Sequence, residues 1–355
     1  MCGYRKGYSA QHALLALIEK WRESLDKKGF AGGIIMDLSK AFDTINHDLL
    51  IAKLSAYGFE KSALKLIQSY LSNRYQRTKI NTSFSSWTEL LLGVPQGSVL
   101  GPLLFNIYLN DLFWFNEETD AANFADDTTL HGCDKDLNNL LWRLENDTLI
   151  VIEWFGWNYM ILNEEKCHLL IAGYKHEHIW AKVGSAKIRE SYREKLLGIY
   201  VDRDFKFNYH ISTLCAKAER KLSALIRLCR YYTLEQRRNL MKSFIESQFS
   251  FSPMTWMFHD REVNNKLNKI HERALRIVYR DDTSTTFEEL LKKDNSLRIH
   301  HRNIHVMAIE MFKSLNGLGP ALLDNLFIKN DNSNERDLFQ EVSSEFPCRG
   351  LDMSR

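Results

Sequence analysis

Residues 121–130 run Ala121-Ala122-Asn123-Phe124-Ala125-Asp126-Asp127-Thr128-Thr129-Leu130. Two short strand-like segments flank a pair of acids, so the stretch reads as a β-hairpin with both carboxylates at its tip. An Asp-Asp pair arises by chance about once in a chain of this length, so the pair means little without its surroundings. The sequence carries its own control in Tyr279-Arg280-Asp281-Asp282. That second pair ends an apolar run at helical spacing (Leu267, Ile270, Ala274, Leu275, Val278) in a basic context, and reads as a helix C-terminal turn. A third acid resembles the hairpin pair more closely. Gly32-Gly33 introduces Ile34-Ile35-Met36, a short strand that delivers Asp37 at its end.

Outward from these strands, apolar spacing predicts helices over 10–25, 45–57 (stopped at Gly58), 62–71 and 137–157. An alternating segment, 78–92, predicts a hairpin after the basic residues Arg74, Arg77 and Lys79. Gly93-Val94-Pro95-Gln96-Gly97-Ser98 is a tight loop opening an apolar helix over 100–115, with Pro102 in its first turn. Strands are expected at 166–171 and 195–201. From His210 the pattern becomes one of long helices, and the polar tail from Asn330 reads as disordered.

At 355 residues and 45% hydrophobic, the chain can bury a large core in two units, or in one unit with a helical extension. The net charge of +2 neither announces nor excludes a nucleic-acid binder, because an acidic centre and a basic track cancel in the sum. The six cysteines are scattered with no CxxC pair, and Cys167-His168 and the group His300, His301, His305 lack partner ligands at metal spacing. No apolar run is long enough for a membrane span, and Met1–Ser9 lacks a signal-peptide core. The reading is a soluble intracellular protein.

Three stretches then stand in a fixed order: Met36-Asp37-Leu38-Ser39-Lys40-Ala41-Phe42-Asp43, Gly93 to Pro102, and Phe124-Ala125-Asp126-Asp127-Thr128. They resemble motifs A, B and C of reverse transcriptases, in the form typical of non-long-terminal-repeat (LINE-type, jockey-like) retrotransposons. Asn163-Glu164-Glu165-Lys166 resembles motif D, and Leu197-Gly198-Ile199-Tyr200-Val201-Asp202 resembles the segment before the thumb. The similarity runs from about Tyr4 to Pro320, and three linked motifs in order are far more specific than any one.

The resemblance implies an α+β right-hand polymerase palm (an antiparallel sheet with packed helices), partial fingers and a helical thumb. It assigns 1–29 to a remnant of the fingers, 30–209 to the palm with finger elements at 55–92, 210–329 to the thumb and its extension, and 330–355 to the tail. Asp37, Asp126 and Asp127 match the metal-binding acids, with Leu38 adding a backbone carbonyl. The implied metal is Mg²⁺, two ions about 3.5–4 Å apart, and Mn²⁺ accepts the same oxygen ligands. Phe42 matches the aromatic gate that excludes a 2′-hydroxyl, against a bland reading as core. Gln96 and Gly97 match residues at the nascent base pair, and Lys166 a lysine beside the leaving pyrophosphate. The periodicity itself offers a basic stripe, Lys217, Arg220, Lys221, Arg227 and Arg230, opposite Leu214, Leu222, Leu225 and Leu228. Trp256 and the basic residues from Lys266 to Arg280 extend that track, and a solvated helix face would look the same. Asp43 reads equally well as a helix cap.

The implied function is RNA-directed DNA synthesis in retrotransposon mobility, with an RNA template, a DNA primer and deoxynucleoside triphosphates as partners. A ribonucleoprotein in nucleus or cytoplasm follows from it. The upstream fingers and the endonuclease of such elements are not in this sequence, which reads as a fragment. The rivals are an inactive descendant that only binds nucleic acid, and an RNA-dependent RNA polymerase, in which the position of Phe42 is expected to be acidic.

Overall fold

The computed structural model describes residues 3–174, 178–259, 261–280, 284–324 and 326–327. The first half of the chain comprises α1 (Ala10–Asp26), β1 (Phe30–Met36), α2 (His47–Ala56) and α3 (Lys61–Leu71), then four two-residue strands: β2 (Tyr75–Gln76), β3 (Lys79–Ile80), β4 (Ser83–Phe84) and β5 (Thr88–Glu89). After them come α4 (Leu100–Leu109), β6 (Asp120–Phe124), β7 (Asp127–Asp134), α5 (Leu137–Trp157) and β8 (His168–Ala172). Two hairpins close this part, β9 (Trp180–Val183) with β10 (Ala186–Arg189), and β11 (Arg193–Leu196) with β12 (Ile199–Asp202). The remainder is helical: α6 (Asn208–Cys229), α7 (Leu234–Phe244), α8 (Pro253–Trp256), α9 (Arg261–Tyr279), α10 (Phe287–Asp294) and α11 (Ile299–Leu315).

The central sheet has the order β6-β7-β1-β8, and every neighbour is antiparallel. This is the mixed helix-and-sheet palm architecture that the sequence implied. Side chains alternate across a strand, and β1 uses both faces. Ile34 and Met36 join the core built with Phe105, Val151, Trp154 and Phe155 of α4 and α5. Ala31 and Ile35 face the other core, where Leu14, Ile18 and Trp21 of α1 meet β12 and the helices from α6 onward. Helix α1 is therefore wedged between the sheet and the helical half, started by Ser9, whose hydroxyl accepts from the His12 N–H.

Several expected elements are corrected. The helix expected over 100–115 ends at Leu109 and tightens into a 3₁₀ turn, Asn110–Trp114. There Lys53 Nζ donates to the Tyr108 carbonyl at 2.7 Å and pairs with Asp111 at 2.7 Å, engaging that carbonyl from outside the helix. The 78–92 hairpin begins at Tyr75 and has two tiers. The strand expected over 195–201 is a hairpin, folded at Leu197-Gly198 where φ is +45° and +93°. Lys166 lies in a 3₁₀ turn, Glu164–Lys166, and the strand begins at His168. Trp256 is buried in the core of the helical half, so it is not on a nucleic-acid track. Asp281, Asp282 and the tail from Asn330 lie outside the described residues. Among the described residues no helix is long and apolar enough to cross a membrane.

Candidate active site

The backbone register brings the two acidic stretches together. Met36 pairs with Thr128, and the antiparallel register continued by one residue sets Asp37 across from Asp127. Both then share the face of Ile35 and Thr129, the side along which α1 lies. Phe124 pairs with Asp127, which leaves Ala125 and Asp126 as a two-residue turn. Ala125 has φ +59°, a conformation that normally calls for glycine and costs on the order of 1 kcal/mol in alanine. Buried Asn123 holds the turn, its Nδ2 donating to the Ala125 carbonyl at 3.0 Å and to Thr128 Oγ1 at 2.9 Å. The sequence reading passed over Asn123; its signal was a polar residue inside a strand, two positions before a turn.

Charge is concentrated here. Desolvation by the crowded strand ends raises the Asp127 carboxyl above the usual carboxylate value, and the negative charges of Asp126 and Asp37 raise it further. Lys195 works weakly in the opposite direction. Lys166 Nζ stands 3.5 Å from Asp37 Oδ2, a pair open to solvent. Three carboxylates that repel one another in this way suit a cation. Among the described residues no group of three or more His, Cys, Asp or Glu is placed to hold a metal ion by itself. A cation such as Mg²⁺ keeps waters and takes substrate oxygens besides one or two carboxylates, so it does not require such a group.

The chain after Asp37 is held by a second bridge. The Asn163 N–H donates to the Asp37 carbonyl and the Ser39 N–H to the Ile161 carbonyl, both at 2.9 Å, forming a bridge around Leu38 and Leu162. Peptide groups alternate along an extended chain, so the Leu38 carbonyl points away from that bridge, toward the Asp127 side.

Phe42 is half-buried, with one face stacked on Phe105 at 4.2 Å and its ring edge-on to Tyr4 at 6.4 Å. It therefore packs on the core, as the bland reading expected, with part of the ring left exposed. Its carbonyl accepts from the Val94 N–H at 2.9 Å, which ties the Gln96 loop to the chain after Asp37. Gln96 and Gly97 are exposed. Gly97 has φ +79° and a β-carbon there would meet no other group of the chain, so its backbone angle is the local requirement for glycine. Asp43 does not cap α2; Asn46 does, accepting from the Leu49 N–H at 2.9 Å.

The Lys166 turn is fixed from behind. Glu164 Oε2 accepts from the Ser185 N–H, the Ser185 hydroxyl and the Ala186 N–H at 3.0, 2.7 and 3.1 Å, all in the β9–β10 turn. Twenty-one residues separate the partners, and no local pattern announced the contact.

On α6, Lys217, Arg220, Arg227 and Arg230 are exposed and Lys221 is partly so. Ile211, Leu214, Ala218, Leu222, Leu225 and Cys229 are buried on the opposite side. None of the five basic residues makes a salt bridge among the described residues.

Comparison with known proteins follows this geometry. A family model described as reverse transcriptase (RNA-dependent DNA polymerase) matches residues 1–201. The chain is 24% identical over 330 residues to a probable RNA-directed DNA polymerase from transposon BS of Drosophila melanogaster, covering 84% of this chain and 36% of that protein. It is 25% identical over 288 residues to the RNA-directed DNA polymerase from mobile element jockey of the same organism, covering 78% and 31%. The chain thus spans about a third of the length of these curated relatives. Among solved structures, apo telomerase from Candida tropicalis aligns with a TM-score of 0.41 at 11% identity, covering 82% of this chain and 50% of that one.

Proposed function

The chain belongs to the reverse transcriptase family, and on that premise we propose that it is the palm-centred core of an RNA-directed DNA polymerase from a non-long-terminal-repeat retrotransposon. The observation that carries this reading is the register that sets Asp37 beside Asp127 at the tip of the β6–β7 hairpin, with three carboxylates in mutual repulsion. In the reaction a primer 3′-oxygen attacks the α-phosphorus of a deoxynucleoside triphosphate. A new O–P bond forms and pyrophosphate leaves.

The family works with divalent metal; Asp37, Asp126, Asp127 and the Leu38 carbonyl would hold it, as two Mg²⁺ ions in this reading, and it would lower the pKa of the attacking hydroxyl and neutralise the leaving group. Phe42, immobilised on Phe105, fills the space that a ribose 2′-hydroxyl needs. Gln96 and Gly97 border the nascent base pair. Lys166, held near Asp37, faces the leaving pyrophosphate. The exposed cations of α6 follow the duplex phosphates without reading sequence. Residues 30–209 form the palm in this reading, 1–29 and 55–92 contribute to the fingers, and 210–329 form the thumb. The RNA template and DNA primer are its partners.

Primer extension on poly(rA)–oligo(dT) with Mg²⁺ tests the reading. Extension by the chain, abolished by Asp126→Asn with Asp127→Asn, is the expected result. Undiminished extension by that double variant would remove the site assignment.

A further inference from the structure

The loop carrying Gln96 is fastened to the chain downstream of Asp37 at four points. The Val94 N–H donates to the Phe42 carbonyl at 2.9 Å and the Gly93 N–H to the Ile45 carbonyl at 2.7 Å. His47 Nε2 donates to the Gly93 carbonyl at 2.7 Å. Gly93 has φ +84°, and a β-carbon there would lie 2.8 Å from Asp43 Cα, so the two backbones meet directly. The fourth tie joins side chains: Gln96 Nε2 donates to Asp43 Oδ1 at 2.9 Å, across 53 positions of sequence.

That last bond has a fixed polarity. An ionised carboxylate can only accept, so the NH₂ end of the Gln96 amide must face Asp43 and its Oε1 must face away. Without Asp43 the amide is free to turn over, because its two ends are nearly identical in shape. Asp43 and Gln96 both line a cleft of about 710 Å³ between this loop, the chain after Asp37 and the segment 89–92, with Lys40, His47 and Arg74 also on its walls.

We propose that Asp43 is a positioning residue which locks Gln96 so that its carbonyl oxygen, an acceptor, is displayed to a donor group of the incoming deoxynucleoside triphosphate. The inference rests on the polymerase reading above. Because the three backbone and imidazole ties hold the loop independently, Asp43 acts on the direction of one amide and not on the fold of the loop. Both side chains are exposed, so their hydrogen bond contributes little to stability and the variants fold.

The test is a double-mutant cycle in primer extension with dTTP as the varied substrate. Asp43→Ala and Gln96→Ala are each expected to raise KM for dTTP about tenfold with kcat within about twofold. Asp43→Ala adds nothing further in a chain already carrying Gln96→Ala. Asp43→Asn, whose side-chain oxygen still accepts, is expected to lie between wild type and Asp43→Ala. A readout separate from activity is the side-chain ¹⁵N amide resonance of Gln96, expected to shift and exchange faster in Asp43→Ala. Additive effects in the cycle, or an unmoved Gln96 resonance, overturn the proposal. A folded wild-type chain that extends nothing overturns only the claim that this chain polymerises by itself. In that case dTTP binding to the chain with a 3′-blocked primer–template decides the matter: weakening by Asp43→Ala supports the inference, and unchanged binding removes it.

Discussion

The sheet tip and the exposed face of α6 both carry charge, and they hold it by opposite means. At the tip, negative charges of one sign are placed by backbone: a strand register, a two-residue turn and a buried asparagine fix them to the main chain. On α6, positive charges sit at the ends of long side chains on a helix face, and no ion pair fixes any of the five among the described residues. Charges held by backbone resist their own repulsion and suit a ligand that must be placed within fractions of an ångström, such as a metal and a reacting phosphate. Charges on flexible stems adapt to a polyanion and suit contacts that need no fixed geometry. In the proposed reading, a reaction centre thus shows itself by strain and repulsion, whereas a binding track shows itself only by exposure.

The largest effect that would break this contrast lies at the tip. Asp126→Asn with Asp127→Asn is expected to lower extension at least roughly a thousandfold, since several kcal/mol of charge stabilisation are removed at about 1.4 kcal/mol per decade. Stability should move the other way. The Asp127 carboxyl is raised in the fold, so its favourable contribution is present below the ordinary carboxylate value and is lost as pH rises through the raised value. Asp127 is exposed, so solvent screens the penalty that applies at neutral pH, and asparagine removes what remains. A melting curve at about pH 7 should therefore show the inactive variant melting higher than wild type, with the difference shrinking below about pH 4. A variant that melts lower would mean that the carboxylates are structural.

How far this was legible in the sequence follows the same division. Local periodicity located β1, α5 and the acid-tipped hairpin, because apolar alternation and helical spacing are properties of neighbouring residues. It failed where an apolar residue turns a corner. Leu197 at φ +45° lies inside a run that reads as one strand. It failed again where a partner is distant, as with Glu164 and the β9–β10 turn, or Lys53 at the end of α4. Resemblance to a family carried the roles of Asp37, Phe42 and Gln96; spacing alone gave only acids on strand ends.

Phe42 gives the next largest effect. Its ring is backed by Phe105, so it cannot retreat from a larger substrate. Phe42→Val is expected to admit ribonucleotides roughly ten- to a hundredfold better, the 1–3 kcal/mol typical of a steric contact in a pocket. Competition between dTTP and UTP on the same template measures it; unchanged selectivity would leave Phe42 with its packing role alone.

On α6 the expected effect is smaller and of another kind. Lys217→Gln, Arg220→Gln and Arg227→Gln together should leave stability within about 0.5 kcal/mol, because exposed unpaired side chains contribute little to the fold. The slope of log affinity for a primer–template against log salt should fall by about 2–3, since each phosphate left without its cation removes about 0.7–0.9 from it. An unchanged slope would make the stripe a solvated face.

The smallest effect sharpens the contrast, because it concerns a side chain made to behave like backbone. Lys166 is long and exposed, yet its turn is held at both ends, by the Asn163 N–H on the Asp37 carbonyl and by Glu164 on the β9–β10 turn. Gly184 closes that second anchor at φ +58°, where a β-carbon would lie 2.8 Å from the Glu164 carboxyl carbon. Gly184→Ala therefore displaces Glu164 without touching Lys166. If fixed placement matters for Lys166, both Gly184→Ala and Glu164→Ala should lower kcat a few-fold with KM for dTTP unchanged, and neither should add to Lys166→Ala. If Lys166 acts as a free charge like those on α6, loosening its turn should cost nothing, and only removing the ammonium should. Comparing these two anchor variants with Lys166→Ala thus assigns Lys166 to one mode of holding charge or the other.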